Sequence, residues 1–233
     1  MSEAVLEATG VGRRLGGRWA LRDVTITVCR GECVMLHGPN GSGKTTLLRV
    51  FASALSPTTG SVRAFGGSPR DHLRQIGLLS HADGHYDDLS GRDNLALARS
   101  LGSLTGHVPD VLALVGLSGR ADDPVRAYSA GMRKRLAFAR LLLKSPALVL
   151  LDEPYAALDG EGHAFVDALL ASLRAEGRTV VISTHQVSRV GPRCDRSVQL
   201  YAGRVANGDS PLVDTANPQD SGPPPAKPTG AHT

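Results

Sequence analysis

The chain has 233 residues, 41% hydrophobic and 21% charged, enough for the core of one large domain or one domain with a modest insertion. No stretch approaches the ~18 consecutive apolar residues of a membrane helix, and the opening Ser2-Glu3 predicts no secretory leader, so a membrane role would come through a partner. Three cysteines, an odd count, exclude a disulfide framework and suit a reducing compartment, while the net charge of +4 fits polyphosphate, nucleic acid or anionic lipid and chooses none of them.

Along the chain, apolar runs of strand length alternate with helical patterns, which predicts an α/β fold with a mainly parallel sheet. Residues 24–29 and 32–37 read as strands joined by a tight turn at Arg30-Gly31. Cys29 and Cys33 flank that turn; a metal site there lacks ligands beyond His37, so both read as small buried hydrophobes. Residues 44–55 form a helical pattern with Leu47, Phe51 and Leu55 on one face. Short strands are predicted at 61–65 and 76–79, followed by helical patterning over 90–143 with breaks at Gly106, Pro109, Gly116 and Pro124. Strand signals return at 147–151 and 179–183, with a helix over 162–176 between them. From residue 209 to 233 the composition turns to Pro, Gly, Asp, Thr and Ala, which cannot bury enough apolar surface to offset ordering, and disorder is expected.

Gly38-Pro39-Asn40-Gly41-Ser42-Gly43-Lys44-Thr45 fits the phosphate-loop pattern G-x-x-x-x-G-K-[ST], at the end of a predicted strand and the start of a predicted helix that continues with Thr46. Its glycines allow the backbone to wrap phosphate oxygens with N–H groups, and the helix turns its positive end toward the same anion. Lys44 is expected to reach the β- and γ-phosphates of a nucleotide, and Thr45 to bind Mg²⁺.

Asp152 and Glu153 close the apolar run 147–151, at the carboxyl end of a strand, where ligands of open α/β sheets bind. Buried charge is costly without a partner, so a Mg²⁺ role for Asp152 and a general-base role for Glu153 compete with the plainer reading of two carboxylates capping the next helix. His185 also sits at a strand end. Ser129 is an N-cap candidate for the helix that follows Gly131, and Arg133, Lys134 and Arg135 oppose the dipole of that helix. Either an anion docks there, or the segment is a solvated basic face.

The order phosphate loop, Ser129-Ala130-Gly131, Asp152-Glu153-Pro154, Ala157-Leu158-Asp159, Ser183-Thr184-His185 resembles the ABC ATPase family. The resemblance implies a P-loop NTPase core at residues 1–208, with a mainly parallel sheet, an antiparallel β subdomain and an inserted α-helical subdomain at about 85–140. It implies a head-to-tail dimer with a second copy, in which Ser129 and Gly131 of one protomer contact the γ-phosphate held by Lys44 of the other. It also implies His185 as a γ-phosphate sensor and integral membrane transporter subunits as partners, with the chain peripheral on the cytoplasmic face of the inner membrane. The signature here is Tyr128-Ser129-Ala130-Gly131-Met132 where the family has Leu-Ser-Gly-Gly-Gln. His81 stands for the usual metal-contacting glutamine, and Leu15 for the adenine-stacking aromatic, so that either Trp19 substitutes or base stacking is weaker. Residues 80–90 with Asn94-Leu95, and Arg18-Trp19-Ala20-Leu21-Arg22, are similar to the haem-exporter ATPase of cytochrome c maturation, against other small-molecule exporter ATPases. No nucleic-acid partner is expected: DNA-repair relatives carry long heptad segments, ribosome-acting ones two nucleotide domains, and this chain has neither. An unrelated P-loop kinase leaves the Ser129 and His185 motifs unexplained.

Overall fold

The computed structural model describes residues 3–80, 84–102, 104–206 and 210–211. His81 lies outside the described residues, as do 212–233 of the Pro/Gly-rich tail.

Strand β1 (Ala4–Leu15) pairs antiparallel with β2 (Arg18–Cys29). Neither β1 nor the first half of β2 was expected from patterning, because repeated register shifts break the period-two alternation. One shift matters for the site. Arg13 faces Leu21 and Arg14 faces Trp19, which leaves Ala20 as the extra residue of a bulge. The chain then turns through Arg30-Gly31 into β3 (Cys33–His37), crosses the glycine loop and enters α1 (Lys44–Phe51). That helix is shorter than its apolar pattern predicts: Ser53 has φ +57°, so the chain leaves the helical path, while Leu55 still packs on the same core. β4 (Thr59–Ala64) then pairs with the free edge of β1 and completes a three-stranded antiparallel sheet.

After β5 (Ile76–Leu79) the chain becomes helical, with α2 (Gly91–Gly102), α3 (Val108–Leu114) and α4 (Ala130–Leu143). It returns as β6 (Leu148–Asp152), α5 (Gly160–Ala175), β7 (Thr179–Thr184), the one-turn α6 (Val187–Val190) and β8 (Arg196–Tyr201). β9 (Arg204–Val205) and β10 (Ser210–Pro211) both pair antiparallel with β8.

The second sheet runs β10-β8-β3-β7-β6-β5, and its five strands from β8 to β5 are parallel. It is buried on both faces, as parallel sheets are, which is why its strands read as unbroken apolar runs. Side chains alternate between two cores. Val34, Leu36, Leu148, Leu150 and Val181 face α1 and the antiparallel sheet. Cys33, Met35, Val149, Leu151, Val180 and Ile182 face the core that takes in α3, α4 and α5. Cys33 is fully buried with its Sγ 3.2 Å from that of Cys194, whereas Cys29 is only half-buried. This topology decides where chemistry can occur. β3 lies beside β7 and β7 beside β6, so the residues that follow His37, Asp152 and Thr184 emerge together from three adjacent strand ends.

Candidate functional site: a phosphate cleft

The loop after β3 is built on left-handed backbone, with φ +142° at Gly38, +78° at Gly41 and +108° at Gly43. Two of these glycines are also places of close approach. A Cβ on Gly38 would stand 2.0 Å from the Leu200 carbonyl oxygen of β8, and one on Gly43 would stand 2.7 Å from the Ala20 carbonyl of the β2 bulge. The loop is thus cradled by its neighbours on both sides. Gly43 caps α1 without a side chain, and no acidic residue occupies the first turn, so the helix presents its orphan N–H groups to the cleft.

Lys44 is buried, and its ammonium donates to the carbonyls of Gly38 (2.8 Å) and Pro39 (3.2 Å). Ser42 Oγ is buried with no hydrogen-bond partner, an uncommon cost for a hydroxyl unless a ligand satisfies it. Ala20, Asn40 to Thr46 and Glu153 line a cleft of about 220 Å³. Orphan donors, a lysine and a helix start around a concave loop fit a polyphosphate anion.

Thr45 Oγ1 donates to Asp152 Oδ1 (3.0 Å), and Ser183 Oγ donates to the same oxygen (2.7 Å). Asp152 is therefore a buried carboxylate held by two hydroxyls, one from the phosphate loop. The described residues contain no cluster of three or more His, Cys, Asp or Glu side chains, so a metal here would take Thr45, Asp152 and phosphate oxygens, the usual sparse set for Mg²⁺. The next residue, Glu153, is in left-handed backbone with φ +46°. Its N–H donates to Ser183 Oγ and to the Ser183 carbonyl, both at 3.1 Å, and its own carbonyl accepts from Lys134 Nζ of α4 at 3.5 Å. Its carboxylate Oε2 meets His185 Nδ1 at 2.9 Å. If Nδ1 donates here, the ring can also donate from Nε2 only when doubly protonated.

The structure brings Lys44, Thr45, Asp152, Glu153 and His185 to one edge of the parallel sheet. The sequence placed Ser183 only in the Ser183-Thr184-His185 run and Lys134 only among the cations of α4, without their contacts to Asp152 and Glu153. Ser183 was legible in principle, as a buried hydroxyl that follows the apolar run Val180-Val181-Ile182 at the carboxyl end of its strand.

Ser129 caps α4, its Oγ accepting from the Met132 N–H at 3.2 Å, and it is exposed. Gly131 lines a separate cleft of about 260 Å³ with Ser129, Arg135, Asp159 and Gly162. The three cations behind them are not a free anion site. Arg133 pairs with Asp87 (2.6 Å), Arg135 with Glu161 (2.8 Å), and the buried Lys134 reaches the Glu153 carbonyl, so two of the three charges opposing the helix dipole are offset by ion pairs within the chain. Of the two residues expected near adenine, Leu15 is exposed, and Trp19 has the Arg14 guanidinium over its ring at 4.5 Å, covering one of its faces.

The profile of the ABC transporter family matches residues 21–156. The chain is 39% identical over 196 residues to the cytochrome c biogenesis ATP-binding export protein CcmA 2 of Cupriavidus metallidurans, covering 80% of this chain and 92% of that one. It is 32% identical over 218 residues to the Nod factor export ATP-binding protein I of Rhizobium johnstonii, covering 89% and 70%. A dimeric ATP-binding cassette in a post-hydrolysis state, bound to ADP and Pi, shares the fold with a TM-score of 0.80 at 25% identity, over 89% of this chain and 99% of that one. A match across more than half the chain, on this fold and around this cleft, makes the protein a member of the ABC transporter family, an ATP-binding subunit that hydrolyses ATP.

Proposed function

We propose that this chain is the motor subunit of an exporter serving cytochrome c biogenesis, working as a dimer beneath integral membrane subunits on the cytoplasmic face of the membrane. The observation that carries the narrower reading is the 39% identity to the Cupriavidus metallidurans cytochrome c biogenesis protein over nearly its whole length. The Nod factor relative supports a second reading, export of another small molecule.

In this reading the Lys44 ammonium and the loop N–H groups hold the triphosphate. Thr45 and Asp152 hold Mg²⁺, which when bound neutralises phosphate charge. Glu153 accepts the proton of the attacking water as its oxygen bonds to the γ-phosphorus and the bond to the bridging oxygen breaks, releasing ADP and phosphate. His185, 2.9 Å from Glu153, orients that carboxylate and senses the γ-phosphate. Ser129 and Gly131 of a second copy close the cleft from the other side.

No helix among the described residues is long and apolar enough to cross a membrane. A groove of about 350 Å³ between β5, α2 and α4, lined by Leu73, Leu78, Leu104 and Leu141 together with Arg74 and Lys144, supports docking of a membrane partner's helix. Purification from membranes tests this: two integral proteins are expected to accompany the chain, and their absence overturns the transport reading. Glu153→Gln is expected to keep ATP binding while lowering turnover at least ~100-fold. Unchanged turnover removes Glu153 as the base.

A further inference from the structure

We propose that Asp167, on α5 and outside the phosphate cleft, is a positioning residue that sets the spacing of Glu153 and His185. The inference rests on the roles given to that pair above.

Glu153 and His185 leave from two different strands and meet only through side chains, Oε2 to Nδ1 at 2.9 Å. The Glu153 N–H is tied to Ser183 and its side chain is only 21% exposed, whereas the His185 side chain is 58% exposed and is not locked by its own packing. The chain beyond each residue is also tied to one carboxylate. Two residues after Glu153, the Tyr155 side chain is buried and its hydroxyl donates to Asp167 Oδ1 at 2.6 Å. The Tyr155 carbonyl also lies 3.2 Å from His163 Nε2, and the two rings meet edge-on, so this loop is pinned to α5 at two points. Four residues after His185, Arg189 Nη1 donates to Asp167 Oδ2 at 3.2 Å, and Arg193 Nη2 stands 2.9 Å from the same oxygen. Arg193 in turn donates to the Arg189 carbonyl at 2.5 Å, which fastens the short segment after His185 into one unit. The Arg189 guanidinium lies 5.7 Å from the centre of the Tyr155 ring, so the two arms also meet each other.

Asp167 thus accepts from one loop with one oxygen and from the other loop with the second. It is only 21% exposed, and two guanidiniums supply its counter-charge, so these are charge-assisted bonds of the stronger kind. Nothing in this arrangement touches the phosphate loop, which hangs on β3, α1 and the bond from the Thr45 hydroxyl to Asp152. A fault at Asp167 therefore falls on the hydrolytic pair and spares ATP binding.

The test is steady-state ATP hydrolysis by the full-length chain, with Asp167→Asn and Tyr155→Phe each made alone and in a His185→Ala background. Tyr155→Phe keeps the ring in the core and removes only the hydroxyl, so it remains informative if Asp167→Asn does not fold. The expected result for Asp167→Asn is a fall in kcat of about tenfold with KM for ATP within about twofold, and a smaller fall in the same direction for Tyr155→Phe. In the His185→Ala background the further cost of either change is expected to shrink to less than about twofold, because the pair they align is already broken. Equal fold-losses in both backgrounds, or a rise in KM at constant kcat, overturn the positioning role while leaving the Glu153 and His185 assignments standing. Undiminished turnover in His185→Ala alone overturns the His185 assignment and the proposal with it.

Discussion

At the scale of single residues, the cleft gathers positive character around the phosphate loop, and His37 reports on it. Burial first, and the Lys44 charge second, hold the His37 imidazole below its ordinary value of 6.5. Because the folded value is the lower one, the unfolded chain takes the proton first as the pH falls. The contribution of His37 to stability is complete above pH ~6.5 and is lost as the pH drops from there through the folded value. A triphosphate docked on Lys44 offsets the second cause but not the first. ATP binding is therefore expected to move the His37 titration upward, measurable by NMR of the imidazole protons. A downward or absent shift would mean that the anion does not neutralise Lys44. Not every residue role was open to such reasoning from sequence. Lys44 and Thr45 were legible because their spacing from the glycines is diagnostic. The contact of Lys134 with the Glu153 carbonyl was not, because α4 and the loop after β6 are brought together only by packing.

At the scale of elements, the unit β3, glycine loop and α1 was readable because motif and periodicity agree there. β1 and β8 were not: bulges and charged residues break the alternation of the first, and Arg196 to Tyr201 is too polar to stand out as a buried parallel strand. β8 nevertheless shapes the site, since its Leu200 carbonyl backs Gly38. The glycines of the loop should therefore differ in kind. At Gly41 no heavy atom lies within 4 Å of a built Cβ, so Gly41→Ala carries only the left-handed backbone penalty, about 1–2 kcal/mol. At Gly38 the same penalty is joined by a 2.0 Å clash with backbone that cannot rotate away. Gly38→Ala is expected to cost at least ~2 kcal/mol more than Gly41→Ala in urea denaturation. Equal midpoints would show that β8 yields, and that the loop is less firmly cradled than its geometry indicates.

At the scale of the whole molecule, the two clefts of one chain look incomplete in complementary ways. The phosphate cleft has donors on one wall, and the Ser129–Gly131 cleft offers an exposed helix start whose nearby Arg133 and Arg135 are already paired with Asp87 and Glu161. In the proposed dimer, with Arg133 and Arg135 paired internally, the Ser129 hydroxyl and the N–H groups beginning α4 would meet the γ-phosphate of the second copy, a neutral and geometrically demanding contact. That makes closure sensitive to one added charge. Ser129→Asp keeps the N-cap, because aspartate caps about as well as serine, so α4 and the fold are expected to survive. In the proposed dimer it would also set a carboxylate against the phosphate of the opposite protomer, a repulsion of ~4 kcal/mol for charges ~4 Å apart at an effective dielectric of about 20. In a Glu153→Gln background, which holds ATP unhydrolysed, ATP is expected to double the sedimenting mass, and adding Ser129→Asp is expected to abolish the doubling while ATP affinity of the monomer stays within about twofold. A dimer that persists with the charge in place would mean that Ser129 does not face nucleotide across the interface. A loss of ATP binding by the monomer would mean that the serine serves its own chain's cleft instead.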